Sequence, residues 1–387
     1  MILTNKQEQG LKIAVERYNN KEPYTCIAGY AGSGKSTLIK FIISALNIYP
    51  EDVAYIAYTG KAAEVLRMKG CPNAMTAHKL LYNSREREDG TYYHIPVQHI
   101  YPYKLIVVDE ISMLPKEMWE LLLSHKRPVI ALGDPGQLPP VAALANGVLD
   151  HPHIFLDEIM RQAAESEIIR LTMDIRDGKP LKLFSGQEVR IVNREEIMAP
   201  GFYQWADQII VGKNNTRTQI NQVMRKMLYD KNPDELPSKG EKIICLKNNW
   251  NCVNSSDDVL VNGLIGTIEK STFNYQNPFL DLTTIIDFKP DYSQSSTFHG
   301  LECDTNIFLG NEPLVNKDTA SKIPVMFRPN QFDYGYAITC HKAQGSEYDK
   351  VIVLEEYMRS ETKEGHQRWL YTAATRAAKK LIIVKNY

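Results

Sequence analysis

The sequence predicts an α/β protein with two parallel-sheet regions, and three observations support this fold class. Apolar strand-like runs alternate with helix-like stretches between residues 24 and 135. A second alternation begins near residue 208 and returns at 351–384. Between its two parts, at about 240–330, polar residues and Gly become frequent among short strand-like runs. Strand–helix alternation is typical of parallel sheets with right-handed crossovers, and the short runs are typical of an inserted β domain.

The composition is that of an ordinary globular protein. The chain has 387 residues, 43% hydrophobic and 24% charged, which suggests two or three domains and excludes disorder and fibrous structure. The net charge of −1 means that a nucleic-acid partner would be met by local patches and backbone donors. Six cysteines without paired spacing indicate reduced thiols. The sequence has no secretory pattern and no apolar run of about 18 residues, so we expect a soluble protein of the cytoplasm. If the protein is encoded by a phage, this would be the cytoplasm of the host cell.

The first region has its polar signatures directly after predicted strands, where ligands of open α/β sheets bind. Its predicted strands are Tyr24–Ala28, Val53–Tyr58, Leu105–Val108 and Val129–Leu132. Its predicted helices are Ser36–Leu46, Lys61–Met68 and Lys116–Leu123. Asp89-Gly90 between polar and aromatic runs is a hairpin signal, so we expect a β-hairpin insertion at about 83–102.

The second region is interrupted by the inserted β segment. Its predicted α/β elements are Gln208–Val211, Thr216–Tyr229, Val351–Leu354, Arg368–Ala374 and Leu381–Val384. The predicted strands of the insertion are Lys242–Leu246, Val259–Val261, Leu264–Glu269 and Leu282–Phe288.

The strongest local signal is the run from Gly29 to Thr37, which fits the phosphate-binding pattern G-x-x-x-x-G-K-[ST] in a strand–loop–helix setting. Glycines let backbone N–H groups surround a polyphosphate at a helix N-terminus. Lys35 can reach the β- and γ-phosphates, and Ser36 can ligate Mg²⁺. The predicted nucleotide-binding residues of this loop are Gly29, Ala31, Gly32, Ser33, Gly34, Lys35, Ser36 and Thr37. The sequence therefore predicts a site for a nucleotide with Mg²⁺.

Three further groups have the side chains that phosphate-bond hydrolysis needs. Asp109 follows a buried strand and is placed to hold Mg²⁺, while Glu110 is placed to orient and deprotonate water. Gln137, in Gly133–Pro140, can bond both a γ-phosphate and the attacking water. Arg161 and Arg376 are candidate fingers that would spread charge over the γ-phosphate oxygens. Taken singly, the acidic pair, the Gln and either Arg also fit an ordinary solvated turn or surface residue.

Gln7 has two interpretations. Thr4 and Gln7 fit a capping box, with Thr at the N-cap and Gln at the N3 position of a helix. Alternatively, the Gln7 amide bonds the edge of adenine and gives a preference for ATP.

Donor-rich turns also fit nucleic-acid phosphates. One set is Thr59 and Lys61 with His78, although a lone His is more often structural. A second turn supplies Thr339, His341 and Lys342.

Taken together, these motifs resemble those of superfamily 1 DNA helicases of the RecD/Dda-like type, which move 5′ to 3′ on single-stranded DNA. The resemblance covers nearly the whole chain. Its segments are Leu3–Gln7, Gly29–Thr37, Thr59–Ala63, His78, Asp109-Glu110, Gly133–Val141, Arg161, Thr339–Ser346 and Tyr371–Arg376.

The resemblance implies two tandem RecA-like P-loop domains with ATP between them. The first would span 1–165, the second 166–239 with 331–387, and an SH3-like β insertion 240–330. It implies that the hairpin is a strand-separating pin, with Tyr92, Tyr93 and His94 as its stacking candidates. It also places Asn214 at DNA and Gly345 at the nucleotide.

The function expected from the resemblance is an ATP-driven helicase and translocase acting on single-stranded and forked duplex DNA. Expected partners are a single-strand-binding protein or replication and recombination factors, with no membrane, and the chain is expected to be a monomer. Two alternatives stay open. One is a translocase that displaces bound proteins without efficient unwinding, and the other is a nucleotide-gated single-strand-binding scaffold without turnover. An RNA-directed enzyme is a weaker third option.

Overall fold

The computed structural model describes most of the chain in two compact units. The described residues are 3–71, 73–86, 92–139, 145–160, 165–198, 201–256, 258–280, 282–291, 296–316, 319, 322–324, 327–357 and 362–387. Unit 1 comprises Met1–Asn83, Ile95–Ile210 and Ala343–Tyr387, and unit 2 comprises Ser84–His94 and Val211–Lys342.

Unit 1 begins with a parallel sheet of six described strands. In spatial order they are Ala74–Thr76, Val53–Ala57, Leu105–Val108, Val129–Gly133, Tyr24–Gly29 and Ile154–Leu156. The accompanying helices are Asn5–Asn19, Lys35–Ala45, Gly60–Met68, Ala77–Leu81 and Lys116–Ser124. Because Val129–Gly133 lies between Tyr24–Gly29 and Leu105–Val108, the loop after it emerges between the phosphate loop and the acidic pair.

Both faces of this sheet are buried, which explains why its strands read as continuous apolar runs. Leu105 and Val107 pack with Leu38 on one face, and Ile106 and Val108 pack with Trp119 on the other. Alternating side chains of a single strand thus supply two separate cores.

A second sheet in unit 1 is parallel except at one edge. In spatial order its unit 1 strands are Gln208–Val211, Tyr348–Leu354, Ala377–Lys385, Val189–Asn193 and the antiparallel Phe184–Ser185. Helices Glu167–Arg176 and Lys363–Ala374 accompany it. The described residues of unit 1 also form the 3₁₀ helices Pro50–Asp52, Ile111–Met113, Arg194–Met198 and Tyr203–Trp205.

Unit 2 contains a five-stranded antiparallel sheet. Its spatial order is Phe298–Cys303, Thr283–Pro290, Ile265–Asn274, Lys242–Cys245 and Phe332–Tyr334. Other described elements are helices Asn214–Tyr229, Thr305–Phe308 and Cys340–Ala343, the strand pair Asn249–Val253 and Val259–Leu260, and strand Ala337–Thr339. Three buried aromatic rings, of Phe288, Phe298 and Phe332, form part of its core.

The predicted α/β class, with two largely parallel sheets, is confirmed. The predicted hairpin is present as the paired strands Tyr82–Glu86 and Tyr92–Pro96. The likeness of the antiparallel sheet to an SH3 domain and the domain boundaries given above stay predictions.

Several strands were predicted too short or were not predicted. Val351–Leu354 is the buried half of Tyr348–Leu354, whose first three residues are partly or fully exposed. The described elements absent from the prediction include Ala74–Thr76, Ile154–Leu156, Val189–Asn193, Phe298–Cys303 and Phe332–Tyr334. The six cysteines are free thiols, as expected. Among the helices that the structure describes, none has the length and apolar character needed to cross a membrane.

Candidate nucleotide site and nucleic-acid residues

The phosphate loop leaves the sheet at Gly29, and the next helix begins at Lys35. Gly32 and Gly34 have φ angles of 77° and 81°, in the left-handed region that favours glycine. A Cβ on Gly29 would lie only 2.5 Å from Ser33 Oγ. The glycines of the pattern are therefore required by the backbone path itself.

The loop has polar groups suited to a phosphate. Ser33 is 2% exposed, and its hydroxyl has no hydrogen-bond partner among the described residues. A buried hydroxyl without a partner costs about 1–3 kcal/mol, which an incoming phosphate oxygen would recover. Lys35 Nζ donates to the carbonyl oxygens of Gly29 and Tyr30, the latter at 3.1 Å, so the ammonium lies against the loop. These residues fit a polyphosphate.

The acidic pair lies directly after strand Leu105–Val108. Glu110 has φ 52° and ψ 50°, a left-handed conformation that is rare for a residue with a Cβ. Such backbone strain clusters at functional sites. The Glu110 N–H donates to Asp109 Oδ1 at 3.0 Å, which fixes the orientation of the first carboxylate.

Burial raises the pKa of both carboxyls above its usual range. Nearby cations oppose this effect: Lys35 is the largest lowering influence on the Asp109 pKa, and Arg376 on that of Glu110. The Asp109 charge raises the Glu110 pKa further. Glu110 keeps 19% of its side-chain surface exposed, so water can reach it. A carboxylate with a raised pKa and access to water is suited to act as a general base.

Gln137 connects this carboxylate to Arg376. With the amide oriented to satisfy its neighbours, Nε2 donates to Glu110 Oε2 at 2.8 Å, and Oε1 accepts from Arg376 Nη2 at 3.1 Å. Arg376 Nη1 lies 3.9 Å from Glu110 Oε1. Arg376 is 5% exposed and also donates from Nε to the Thr372 carbonyl at 3.0 Å. The structure thus brings together three residues that the sequence predicted separately.

Sequence reasoning missed two side chains of this site. The Tyr371 hydroxyl donates to Asp134 Oδ2 at 2.6 Å and accepts from the Ala31 N–H at 3.1 Å. Asp134 follows a buried strand within the predicted Gln137 motif, and Tyr371 lies in the predicted Arg376 motif. Both residues lie within motifs that the sequence identified, and this was the signal that could have found them. No sequence spacing indicates that their side chains contact each other.

Gln7 forms the predicted capping box with Thr4. Its Oε1 accepts from the Thr4 N–H at 3.0 Å, and its Nε2 faces the Ser33 and Gly34 carbonyls at 3.4 and 3.5 Å. At 1% exposure it lies against the phosphate loop. The capping interpretation is thus observed, while contact with adenine stays a prediction.

Two nucleic-acid candidates of unit 1 lie at the start of helix Gly60–Met68, and the third, His78, lies in helix Ala77–Leu81. Thr59 caps this helix, accepting from the Ala62 N–H at 3.2 Å, and Lys61 lies in its first turn. The His78 ring lies near the rings of Tyr58 and Tyr82, with centroids 5.8 and 6.0 Å away. At Gly345, predicted at the nucleotide, an added Cβ would lie 2.7 Å from Ala62 Cβ and 3.5 Å from Thr59 Oγ1.

The candidates of unit 2 lie at the start of one helix and around the end of strand Ala337–Thr339. Asn214 is the exposed first residue of helix Asn214–Tyr229, and Thr339 ends strand Ala337–Thr339. His341 and Lys342 follow in the next helix, and Lys342 Nζ donates to Asn262 Oδ1 at 2.6 Å. Burial lowers the pKa of Lys342.

Two predictions fall on other parts of the chain. Arg161 lies outside the described residues, and so do the side chains of Tyr92, Tyr93 and His94. For the metal, Ser36 is exposed at the first turn of the phosphate-loop helix, and Asp109 is partly buried. In the part of the chain that the structure describes, no group of three or more His, Cys, Asp or Glu could hold a metal ion. A metal there would need ligands from a nucleotide or water.

Comparison with known proteins gives matches in both halves of the α/β framework. Residues 4–194 match the family model of an AAA domain, and residues 334–384 match that of a UvrD-like helicase C-terminal domain. Together the two models match more than half of the chain.

Two relatives are described as ATP-dependent DNA helicases. The dda protein of Enterobacteria phage T4 is 25% identical over 257 residues, covering 60% of this chain and 58% of its own length. The RecD2 protein of Deinococcus radiodurans is 26% identical over 376 residues, covering 91% of this chain and 45% of its own length. The chain thus spans about half the length of these relatives.

A solved structure shows the same fold. The Pif1 helicase from Bacteroides, in complex with ADP-AlF3 and single-stranded DNA, has a TM-score of 0.55 at 18% identity, covering 99% of this chain and 92% of its own. Motif order, the two family models and this fold agree. The two family models and the dda and RecD2 relatives support a superfamily 1 helicase of the Dda/RecD-like type.

Proposed function

We propose that the chain is an ATP-dependent DNA helicase that moves on single-stranded DNA and separates duplex strands. One observation carries the proposal: Glu110, Gln137 and Arg376 are linked side chain to side chain at the edge of the sheet that bears the phosphate loop. A base, a polar relay and a buried cation are what hydrolysis of a terminal phosphate requires. The dda and RecD2 relatives, both described as ATP-dependent DNA helicases, support the same activity.

Each residue of the candidate site has a chemical role in this proposal. Lys35 leaves the Gly29 and Tyr30 carbonyls for the β- and γ-phosphates, and Ser33 supplies its unused hydroxyl. Glu110 orients the attacking water and takes its proton, and Arg376 compensates the charge that grows on the γ-phosphate oxygens. Ser36 and Asp109 would hold Mg²⁺, which when bound would neutralise negative charge on the phosphates. Arg161 is proposed as a second finger.

Hydrolysis becomes movement because the site draws on both parallel sheets of unit 1. Lys35 and Gln137 follow strands of the first sheet, whereas Arg376 lies just before Ala377–Lys385 of the second. A ligand shifts a conformational equilibrium only by its differential affinity for the two states, and contacts from both sheets provide that difference. We expect ATP to favour the closed arrangement and its hydrolysis to release it.

Grip on DNA is assigned to two sets of donors. The first set, Thr59, Lys61 and His78, would contact the phosphates of the DNA strand. The second set would do the same and consists of Asn214, Thr339, His341 and Lys342. Because the net charge is only −1, we expect affinity for single strands to fall with added salt on a modest slope. Movement 5′ to 3′ and cooperation with a single-strand-binding protein are parts of the proposal taken from the family resemblance. Action as a monomer in the cytoplasm is a further part of the proposal.

The test combines two assays on the same preparation. Phosphate release is measured with and without an oligonucleotide, and strand displacement is measured on duplexes with a 5′ tail and with a 3′ tail. We expect oligonucleotide-stimulated hydrolysis and unwinding of the 5′-tailed duplex alone. Hydrolysis without unwinding, together with displacement of streptavidin from a biotinylated strand, would replace the helicase with a protein-stripping translocase. Absence of stimulated hydrolysis would refute the motor.

A further inference from the structure

Tyr371 occupies an unusual place in the site. Its hydroxyl lies between two loops of the first sheet, accepting from the Ala31 N–H of the phosphate loop and donating to Asp134 Oδ2. Tyr371 is 2% exposed and Asp134 is 3% exposed, so water does not compete for either contact. A bridge between an N–H donor and a carboxylate acceptor needs a group that accepts and donates at once, and the phenol hydroxyl does both.

Asp134 extends this bridge toward Gln137. Its second oxygen, Oδ1, accepts from the Gly136 N–H at 2.9 Å and closes the turn that precedes Gln137. The Tyr371 ring packs on the same turn, because a Cβ on Gly136 would lie 3.0 Å from ring atom Cε1. The position of the Gln137 backbone therefore depends on both the ring and the hydroxyl of Tyr371.

The other side of Gln137 is anchored from the same helix. Thr372 Oγ1 accepts from the Leu138 N–H at 3.0 Å and donates to the Arg368 carbonyl at 2.7 Å. The Leu138 carbonyl accepts from Gln344 Nε2 at 3.2 Å. Gln137 thus has a hydrogen-bonded anchor on each side, and the Tyr371 anchor also reaches the phosphate loop.

We propose that Tyr371 is a positioning residue for hydrolysis. Its hydroxyl connects the phosphate loop to the Gln137 turn and so sets the distance between the bound phosphate and the Gln137 side chain. The proposal rests on the proposed function. Burial raises the pKa of Tyr371 far above its ordinary value, so the hydroxyl keeps its proton and remains a donor. Misplacing a relay by a fraction of an ångström lowers turnover more than binding.

The substitution Tyr371→Phe tests this role because it keeps the ring and removes only the hydroxyl. We expect kcat of oligonucleotide-stimulated ATP hydrolysis to fall about tenfold, while KM for ATP changes less than about twofold. A purely structural role would instead lower the fraction of folded protein and leave kcat per folded molecule unchanged. Tyr203→Phe is the matched control, since Tyr203 is a buried tyrosine of unit 1 bonded to Tyr387.

Hydrogen exchange on the nucleotide-free protein gives a readout that needs no turnover. In Tyr371→Phe we expect faster amide exchange in peptides covering 29–33 and 134–138, and unchanged exchange elsewhere. Unchanged exchange in both peptides would overturn the proposal. If the wild-type protein shows no oligonucleotide-stimulated hydrolysis, the proposed function fails, while the exchange result still decides whether the tie exists.

A double-variant cycle provides the last test. Asp134→Ala removes the carboxylate that accepts from Tyr371, so the double variant is expected to be no slower in kcat than the slower single variant. Multiplying losses would show that the two residues act independently and would refute the tie.

Discussion

Arg376 is the residue whose removal gives the sharpest test of the proposed site. Its guanidinium is 5% exposed and donates to the Thr372 carbonyl, the Ser346 carbonyl at 3.3 Å and Thr375 Oγ1 at 3.1 Å. These bonds hold the charge 3.9 Å from Glu110 and within hydrogen-bond distance of Gln137. Arg376→Ala removes the cation and leaves Gln137 Oε1 without its donor.

The expected loss is large because this charge is preorganised and buried. Fingers of this kind are worth on the order of 10³-fold in rate, and each tenfold corresponds to about 1.4 kcal/mol, so the expected cost is roughly 4 kcal/mol of transition-state stabilisation. Arg376→Lys retains a charge but not the planar fork that bonds Thr372 and Gln137 together. We expect it to lose on the order of 10²-fold or more, since the two side chains are not interchangeable at such a site.

The assay is phosphate release at saturating ATP and oligonucleotide, with binding of a fluorescent ATP analogue measured in parallel. Arg368→Ala is the matched control, because Arg368 is an exposed arginine on the helix that precedes Arg376. It should change kcat less than about twofold. A kcat for Arg376→Lys within about threefold of wild type, at unchanged folding, would refute the finger assignment.

The pH dependence gives an independent check. Burial raises the Glu110 pKa and Arg376 opposes that rise, so removing Arg376 lets the pKa go up. A general base is active in its deprotonated form and loses activity as the pH falls through its pKa. The residual activity of Arg376→Ala should therefore disappear at a higher pH than wild-type activity does. Identical acidic limbs would show that Glu110 is not the titrating base.

The remaining predictions concern the loop, the pin and unit 2. Lys35→Ala should abolish oligonucleotide-stimulated hydrolysis while single-strand binding, measured by fluorescence anisotropy, persists; full turnover would contradict the phosphate site. Replacing Tyr92 and Tyr93 by Ala should lower forked-duplex unwinding more than ATP hydrolysis, and equal losses would make the hairpin structural. Arg225→Met should lower the free energy of unfolding in urea by about 3–5 kcal/mol, because Arg225, 1% exposed, forms an ion pair with the fully buried Glu241 carboxylate. Lys226→Met on the same helix should change it by less than about 0.5 kcal/mol, since Lys226 forms only an exposed ion pair. Equal effects of the two substitutions would argue against a structural buried pair.

The parts of the fold that sequence predicted are those where the signal is local. Strand Leu105–Val108 is buried on both faces and reads as an uninterrupted apolar run. Ile154–Leu156 is also apolar, but it is only three residues long and lies between the polar residues His153 and Asp157, so the pattern did not indicate a strand. The phosphate loop was predicted residue by residue since its glycines are required by its own backbone path.

The parts that were not predicted depend on long-range packing. Tyr371 and Asp134 lie 237 positions apart, so no spacing rule relates them. The left-handed Glu110 backbone is also invisible in the sequence, because glutamate disfavours that conformation and only the surrounding structure imposes it. Candidate residues were thus identified one by one, whereas their connections required the structure.

Three contacts of the candidate site come from the single segment 371–376. Tyr371, Thr372 and Arg376 lie within six consecutive residues, yet they reach the phosphate loop, the Gln137 turn and the Glu110 carboxylate respectively. Tyr371 and Thr372 lie in the last turn of helix Lys363–Ala374, and Arg376 follows its last residue by two positions. We therefore expect a shift of this helix end to change all three contacts together. A nucleotide that favours one position of the segment therefore sets the loop, the relay and the cation at once. Substitutions at these three positions should be coupled, and a molecule that has lost one contact has less to lose from the next.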